Sequence, residues 1–426
     1  MSIDAASRPL DIDAAAASRL DLAAIYRDLH ANPELSFQEH RTAGIVAERL
    51  GALGLAVTPG IGQTGVVGVL ENGGGSTVLL RADMDGLPVL EQTGLDYAST
   101  ARGTDADGND VPVMHACGHD VHVTCLLGAV EQLVALRAEW SGTLVAVFQP
   151  AEEWGGGAQA MVDDALFERI PRPDVVLGQH VAPFPAGWVG VHAGVAMAAA
   201  DSITVRLHGE GGHGSRPETT IDPVLMAASL TVRLQSVVSR EIAPNDAAVL
   251  TVGQLHAGTK NNIIPAEASL GLSVRTFDDA VREKVVTAIE RMAKAEAAAS
   301  GATREPEILF EEHFPLTRND VPATERTAAA LRRALGDDRV IDPGMVSGSE
   351  DVGVLASAAG VPLVYWFLGG FEPALFADFM RTGRMPEDVP SNHSPLFGPV
   401  IEPTLATGVS ALTAAALEWF AGEPTV

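Results

Sequence analysis

Residues 114–137 read MHACGHDVHVTCLLGAVEQLVALR. The first nine of them place His115, Cys117, His119, Asp120 and His122 side by side. No packing or solubility requirement explains that density, whereas imidazole nitrogen, thiolate sulfur and carboxylate oxygen are the usual protein ligands for zinc and related divalent ions. The apolar run that follows predicts a helix over about 121–137, so the cluster lies where a loop enters a helix. Cys117 and His119 are two apart and cannot share a helix face, which places them in an irregular turn ahead of it. Spacing alone does not choose among His115, His119 and His122.

Working outward, short and continuously apolar runs at 65–70, 77–82, 143–149 and 174–179 read as strands buried on both faces of a sheet. They alternate with amphipathic helices over about 19–30, 38–53 and 121–137. This pattern predicts an α/β fold with a mixed, largely parallel sheet, in which ligands gather beyond the carboxyl ends of the strands. Candidate ligands stand at such ends: Glu152 and Glu153 after one run, His180 after another, with His393 in the later loop 391–395. Adjacent carboxylates on extended backbone point opposite ways, so one of Glu152 and Glu153 can face a metal and the other the substrate. Hydrolysis at a metal uses that division, because a carboxylate that does not bind the ion can take the proton of the activated water.

From about residue 200 the order changes to strand 201–208, helix 222–239, strands 248–256 and 268–277, helix 279–300 and strand 304–311. That is the β-α-β-β-α-β order of a ferredoxin-like unit. It predicts an inserted domain over 196–312, between catalytic segments 1–195 and 313–426. After residue 315 the α/β style resumes, with helices over 324–335 and 403–420 and a strand over 361–368. His208 and His213 lie in the insert, the latter in a Gly-rich loop where an imidazole can reach a developing oxyanion.

Composition bounds the partners. The 426 residues carry 28 Lys plus Arg against 55 Asp plus Glu, a net charge of -27, which argues against nucleic acid or an anionic membrane. The first twenty residues have neither a basic start nor an apolar block before a cleavage site, and no uncharged apolar run reaches membrane-spanning length. A cytoplasmic location is the resulting expectation. Of the two cysteines, Cys125 reads as a small buried hydrophobe, and no disulfide is expected. The acidic stretch 105–110 resembles a calcium loop but lacks the glutamate and flanking helices of an EF-hand, so it reads as a turn.

Several stretches together carry a resemblance: HANPELSFQEHRTA (30–43), RADMDGLPVLE (81–91), MHACGHDVH (114–122), QPAEE (149–153), GQH (178–180), GGHGSRPE (211–218), GTKNNIIP (258–265), GSED (348–351) and NHSP (392–395). In this order they are similar to the amidohydrolase branch of the aminoacylase and carboxypeptidase G superfamily, which contains hippurate hydrolases and N-acyl- and indoleacetyl-amino-acid amidohydrolases. The resemblance implies a two-metal catalytic domain with an inserted lid. Its ligands would be Cys117, His119, Glu153, His180 and His393, with Glu152 as general base. It implies further that His213 polarises the scissile carbonyl, in cis or from a partner chain, and that Asn262 and Arg275 hold the substrate's carbonyl or carboxylate. Asp83 and Asp85, where many superfamily members have His-x-Asp, would orient ligands rather than bind metal. Val352 stands where relatives often have Phe, which bears on the acyl pocket.

The expected reaction is metal-dependent hydrolysis of a small N-acyl amino acid, using two divalent ions, manganese or zinc, with cobalt and nickel also compatible with the donor set. The expected assembly is a homodimer or higher homo-oligomer through the lid. Dipeptidase or carboxypeptidase action is the alternative on the same machinery. A thiol or serine hydrolase is disfavoured, because no Gly-x-Ser-x-Gly elbow occurs. A non-catalytic metal protein is disfavoured by the carboxylate pair, since structural zinc sites usually close with Cys and His alone.

Overall fold

The computed structural model describes residues 20–382, 386 and 388–422. The expectation about the first twenty residues therefore falls almost wholly outside the described part. Two compact units emerge. One comprises the described residues up to Ala196, Arg318–Gly344 and those from Asp351 onward, and the other comprises Met197–Thr317 and Met345–Glu350.

The larger unit is built on an eight-stranded sheet in the order Ala56–Ile61, Gly65–Asn72, Gly142–Gln149, Thr77–Asp83, Val175–Pro185, Leu363–Phe371, Val189–Val191 and Val340–Ile341. Its centre is parallel, Thr77–Asp83 lying between Gly142–Gln149 and Val175–Pro185, with Leu363–Phe371 beside the last. Antiparallel pairs close one side, where Ala56–Ile61 and Gly65–Asn72 pair with each other and the latter with Gly142–Gln149. Central strands are buried almost throughout, as their unbroken apolar runs require. Helices Leu22–Ala31, His119–Ala135 and Thr404–Phe420 pack into the same core. His119–Ala135 is buried along nearly its whole length, and so lacks the polar stripe of a surface helix.

Sequence periodicity located the long elements and missed short ones. Ala56–Ile61 holds Pro59 and Gly60, which mask a strand pattern, and its edge position tolerates them. Val189–Val191 and Val340–Ile341 are too short to show any period.

The smaller unit has a four-stranded antiparallel sheet in the order Ala248–Ala257, Glu267–Thr276, Ala199–His208, Glu307–Phe314. Helices Pro223–Ser236 and Asp279–Ala299 supply Met226, Leu230 and Leu234, and Val281, Val285, Ile289 and Met292, to a core of its own. The order along the chain is the β-α-β-β-α-β of a ferredoxin-like unit. Each helix begins on an aspartate whose carboxylate accepts first-turn amides, Asp222 from Val224 and Asp278 from Ala280 and Val281. Met345–Glu350 joins this unit through Arg275, which donates to Ser347 O at 2.9 Å and Ser349 Oγ at 2.8 Å.

Candidate metal centre

The cluster at 114–122 sits at the N-terminus of a helix that starts two residues earlier than the pattern predicted. His119 is its first residue and Gly118 its N-cap, in a left-handed conformation at φ 83°. A Cβ at Gly118 would stand 2.3 Å from Val181 Cγ1, so glycine is needed for space as well as for φ. This turn lets Cys117 and His119 face one place although they are two residues apart. Their metal-binding atoms lie, with that of His180, within 4.8 Å of one another.

Strand ends bring up the rest. Gln149 closes its strand and Ala151 takes φ 49°, turning the chain so that Gly155 N donates to Glu152 O at 2.7 Å. Glu152 and Glu153 therefore lie in a turn, not on extended backbone, and the expectation that they diverge does not hold. Glu152 Oε2 is 3.8 Å and Glu153 Oε1 3.7 Å from His119 Nε2. His180 lies inside its strand, which runs on to Pro185, rather than at its end; its Nε2 is 3.4 Å from Cys117 Sγ while Nδ1 donates to Val181 O. His393, at φ 69°, is fixed by its backbone N–H to Ala116 O at 2.8 Å and reaches Glu153 Oε2 at 3.3 Å. Non-glycine residues in the left-handed region are uncommon, and two of the five among the described residues, Ala151 and His393, adjoin this site or belong to it.

The three histidines of the cluster separate by their hydrogen bonds. His122 Nε2 accepts the Val181 N–H at 2.8 Å and its Nδ1 donates to Asp83 Oδ1 at 2.5 Å, so both nitrogens are used. His119 Nδ1 is 3.2 Å from Asp85 Oδ1, which leaves Nε2 buried with no hydrogen-bond partner. His115 is buried with neither nitrogen hydrogen-bonded, and burial lowers it to about 4, keeping it neutral. His119 is thus the histidine whose ring is oriented behind and open in front.

Asp83 and Asp85 orient this centre. Asp85 takes the His119 ring, the Ser36 hydroxyl at 2.6 Å and the backbone N–H groups of Glu152 and Glu153 at 3.1 and 3.0 Å. Asp83 pairs with Arg81 at 2.5 Å, and Arg81 with Gln149 and Asp351 at 2.9 and 3.0 Å, all of it buried. Sequence reasoning missed Glu39 and Asn392. Glu39 accepts from Thr64 Oγ1 and from Ala151 N, pinning the turn before Glu152. Asn392 donates to Cys117 O and Val181 O. Their one signal was membership of the motifs HANPELSFQE and NHSP.

Electrostatics describe a pocket short of positive charge. Burial pushes the Cys117 thiol far up, and Glu153, Glu152 and Asp83 push it further. For His119 burial works downward, but Asp83, Asp85 and Glu153 outweigh it and raise it to about 10. Buried Glu153 Oε1, like His119 Nε2, has no hydrogen-bond partner. Orphaned polar atoms of this kind are costly unless a partner fills the space between them. A sulfur, imidazole and carboxylate set converging in groups Cys117–His119–His180, Cys117–Glu153–His393 and His119–Glu152–Glu153 fits divalent cations in more than one position.

The remaining candidates lie in the smaller unit. His213 pairs with Ile263 in a two-stranded ladder, and its Nδ1 accepts from Ser215 N and engages Ser215 Oγ at 2.8 Å. Asn262 lies beside it, its carbonyl accepting Gly214 N at 2.9 Å. Arg275 binds the 345–350 segment as described. His208 is spent on Glu307 at 3.0 Å.

The family model for peptidase family M20/M25/M40 matches residues 79–376. Thermostable carboxypeptidase 2 of Saccharolobus solfataricus is 37% identical over 350 residues, 81% of this chain and 84% of that protein. Hippurate hydrolase of Campylobacter jejuni is 40% identical over 317 residues, 74% of this chain and 79% of that protein. The crystal structure of the Bacillus subtilis YXEP protein, described as a dinuclear metal binding peptidase of the M20 family, covers 93% of this chain and 98% of its own at TM-score 0.72 and 28% identity. Taken with the converging donor groups, these matches establish that the chain belongs to peptidase family M20/M25/M40 and is a metal-dependent hydrolase.

Proposed function

We propose that the protein hydrolyses the amide bond of N-acyl amino acids, giving a carboxylic acid and a free amino acid. One observation carries the reading: a buried His119 Nε2 that makes no hydrogen bond and faces the Glu152 and Glu153 carboxylates beside Cys117. Relatives named hippurate hydrolase, N-acyl-L-amino acid amidohydrolase and N-acetyl-L-cysteine deacetylase support the substrate class.

Cys117, His119, Glu153, His180 and His393 would hold two divalent ions, manganese or zinc by donor type, with cobalt or nickel also accommodated. When bound, such ions lower the pKa of water and polarise a carbonyl oxygen. Glu152 is the general base. It takes a proton from the attacking water and delivers it to the leaving nitrogen as the C–N bond breaks, so the carboxylate is restored each turnover. Asp85 keeps both carboxylates in place through the backbone N–H groups of 152 and 153. In the inserted unit, the lid of this scheme (196–312), His213 donates to the scissile carbonyl oxygen, and its Nδ1 acceptor role toward Ser215 leaves Nε2 as the N–H. Arg275 and Asn262 recognise the carboxylate or carbonyl of the substrate.

Assembly as a homodimer through the lid is part of the proposal. Ala248–Ala257 is an edge strand with Val249 and Leu255 exposed, and Leu225 and Val232, seven apart on one helix, are exposed beside their own unit's core. Cytoplasmic residence is proposed on composition; among the described residues no helix is long and apolar enough to cross a membrane.

A second reading is peptide hydrolysis on the same residues, favoured by the likeness to the Saccharolobus carboxypeptidases. Release of amino acid from N-acetyl, N-benzoyl and indoleacetyl amino acids and from dipeptides, before and after chelation and metal return, separates the two. Metal-restored cleavage of acyl amino acids is the expected result, and cleavage of peptides alone would replace the first reading by the second.

A further inference from the structure

Behind the metal centre lies a second buried cluster of titratable groups that the mechanism does not use. His30, on helix Leu22–Ala31, is fully buried between two carboxylates, with Nδ1 2.7 Å from Asp120 Oδ2 and Nε2 3.0 Å from Glu91 Oε1. All three side chains are shielded from solvent. With one acid on each nitrogen the imidazole donates on both sides and is held as a cation. Burial opposes this, but the two acids prevail and lift it to about 10. Tyr26 and Tyr97 flank the ring at 5.5 and 5.3 Å between centroids, so its plane is fixed as well.

Each acid leads to a different ligand-bearing segment. Asp120 follows His119 directly in the first turn of the buried helix. Glu91 holds the loop after it, accepting from the Thr93 hydroxyl and from Ser99 N at 2.5 Å. The neighbouring Gln92 N–H donates to Pro395 O at 2.8 Å, two residues beyond His393. The His393 side chain itself is 56% exposed, and its loop is held from the protein side by the His393 N–H to Ala116 O and the Asn392 amide to Cys117 O and Val181 O, besides the Gln92 bond. Beside the direct bonds from His393 N–H to Ala116 O and from Asn392 to Cys117 O, one buried cation thus adds a second tie between the helix carrying His119 and the exposed loop carrying His393.

We propose that His30 is a positioning residue that sets the spacing of the His119 and His393 segments, and with it the affinity for metal. This rests on the ligand assignment made above. Outer partners of metal ligands typically change affinity by about 10- to 100-fold when removed, although their usual place is one bond from the ligand. Here the effect would be relayed through Asp120 on one side and through Glu91, Gln92 and Pro395 on the other.

Metal-stripped full-length protein titrated calorimetrically with manganese tests this. His30→Gln is expected to bind at least one ion about 10-fold or more weakly. Asn72→Ala serves as the control, since Asn72 bonds Arg137 O and Trp140 O beyond the far end of the same helix; its metal affinity should match the wild type even where its melting temperature falls. Should His30→Gln not fold, Glu91→Gln is read by the same criterion, because it leaves the His30–Asp120 pair in place and loosens only the loop arm. Wild-type affinity in the folded variant, or equal weakening in the control, overturns the proposal. Wild-type protein that takes up no ion overturns the ligand assignment, and the proposal with it, at a step before any variant is compared.

Discussion

Glu152 and Glu153 differ less by direction than by what surrounds them. Both point toward His119 Nε2, and Glu153 also meets His393 at 3.3 Å, in keeping with the proposed roles of Glu153 as ligand and Glu152 as proton carrier. Glu152→Gln keeps the shape and removes the basicity. It should lower kcat by about 100-fold or more while metal content, measured by elemental analysis, stays at the wild-type level. Undiminished kcat would move the base elsewhere. At Gly118 the constraint is steric. Gly118→Ala puts a methyl group 2.3 Å from Val181 Cγ1 at a positive φ, and should cost about 1–3 kcal/mol in urea unfolding. His30 gives a pH signature at this same scale. Its folded value, about 10, lies above its unfolded one, so its contribution to stability is complete below about 6.5 and is lost as pH rises through about 10. The difference in melting temperature between wild type and His30→Gln should therefore shrink on going from pH 7 to pH 10.5.

At the scale of elements, the centre is assembled from one helix N-terminus, one turn after a strand, one strand interior and one late loop. Which of these could be read from sequence depended on whether chemistry or geometry marked them. Cys117 and His119 stood out because their types had no other purpose in a loop. That His119 rather than His122 faces the cluster depended on the Val181 N–H and on Asp83, partners from other strands that no local spacing contains. The divergence expected of Glu152 and Glu153 presumed strand backbone, and Ala151 at φ 49° ended the strand first. The long apolar strands were legible, whereas Val189–Val191 and Val340–Ile341 were not, because three and two residues carry no period. Because the donors come from separate elements, their mutual repulsion is carried by the fold in the absence of cations. Chelation should lower the melting temperature, and returning manganese or zinc should restore it in proportion to the logarithm of free metal concentration. An unchanged melting curve would mean that the donors bind nothing.

For the whole molecule, the insert matters first as a surface. Its edge strand Ala248–Ala257 and the exposed Leu225 and Val232 suit pairing with a second copy, buried apolar area and strand hydrogen bonds acting together. Leu225→Glu with Val232→Glu should shift the mass measured by light scattering from dimer to monomer. A wild-type protein that is already monomeric would remove the lid from any role in assembly.

The strand order of the large sheet also fixes when, during synthesis, the enzyme can come into being. Leu363–Phe371 is wedged between Val175–Pro185 and Val189–Val191, segments made some 180 residues earlier. The inserted unit, by contrast, draws its four strands and two helices from the single stretch Met197–Thr317. A growing chain can therefore close the insert while its own sheet is still missing an interior strand and His393 has yet to be added. The early strands must wait with apolar edges unpaired, a window in which chaperones have something to hold. On the proposed ligand set, full uptake of metal would report that translation has passed the loop at 391–395.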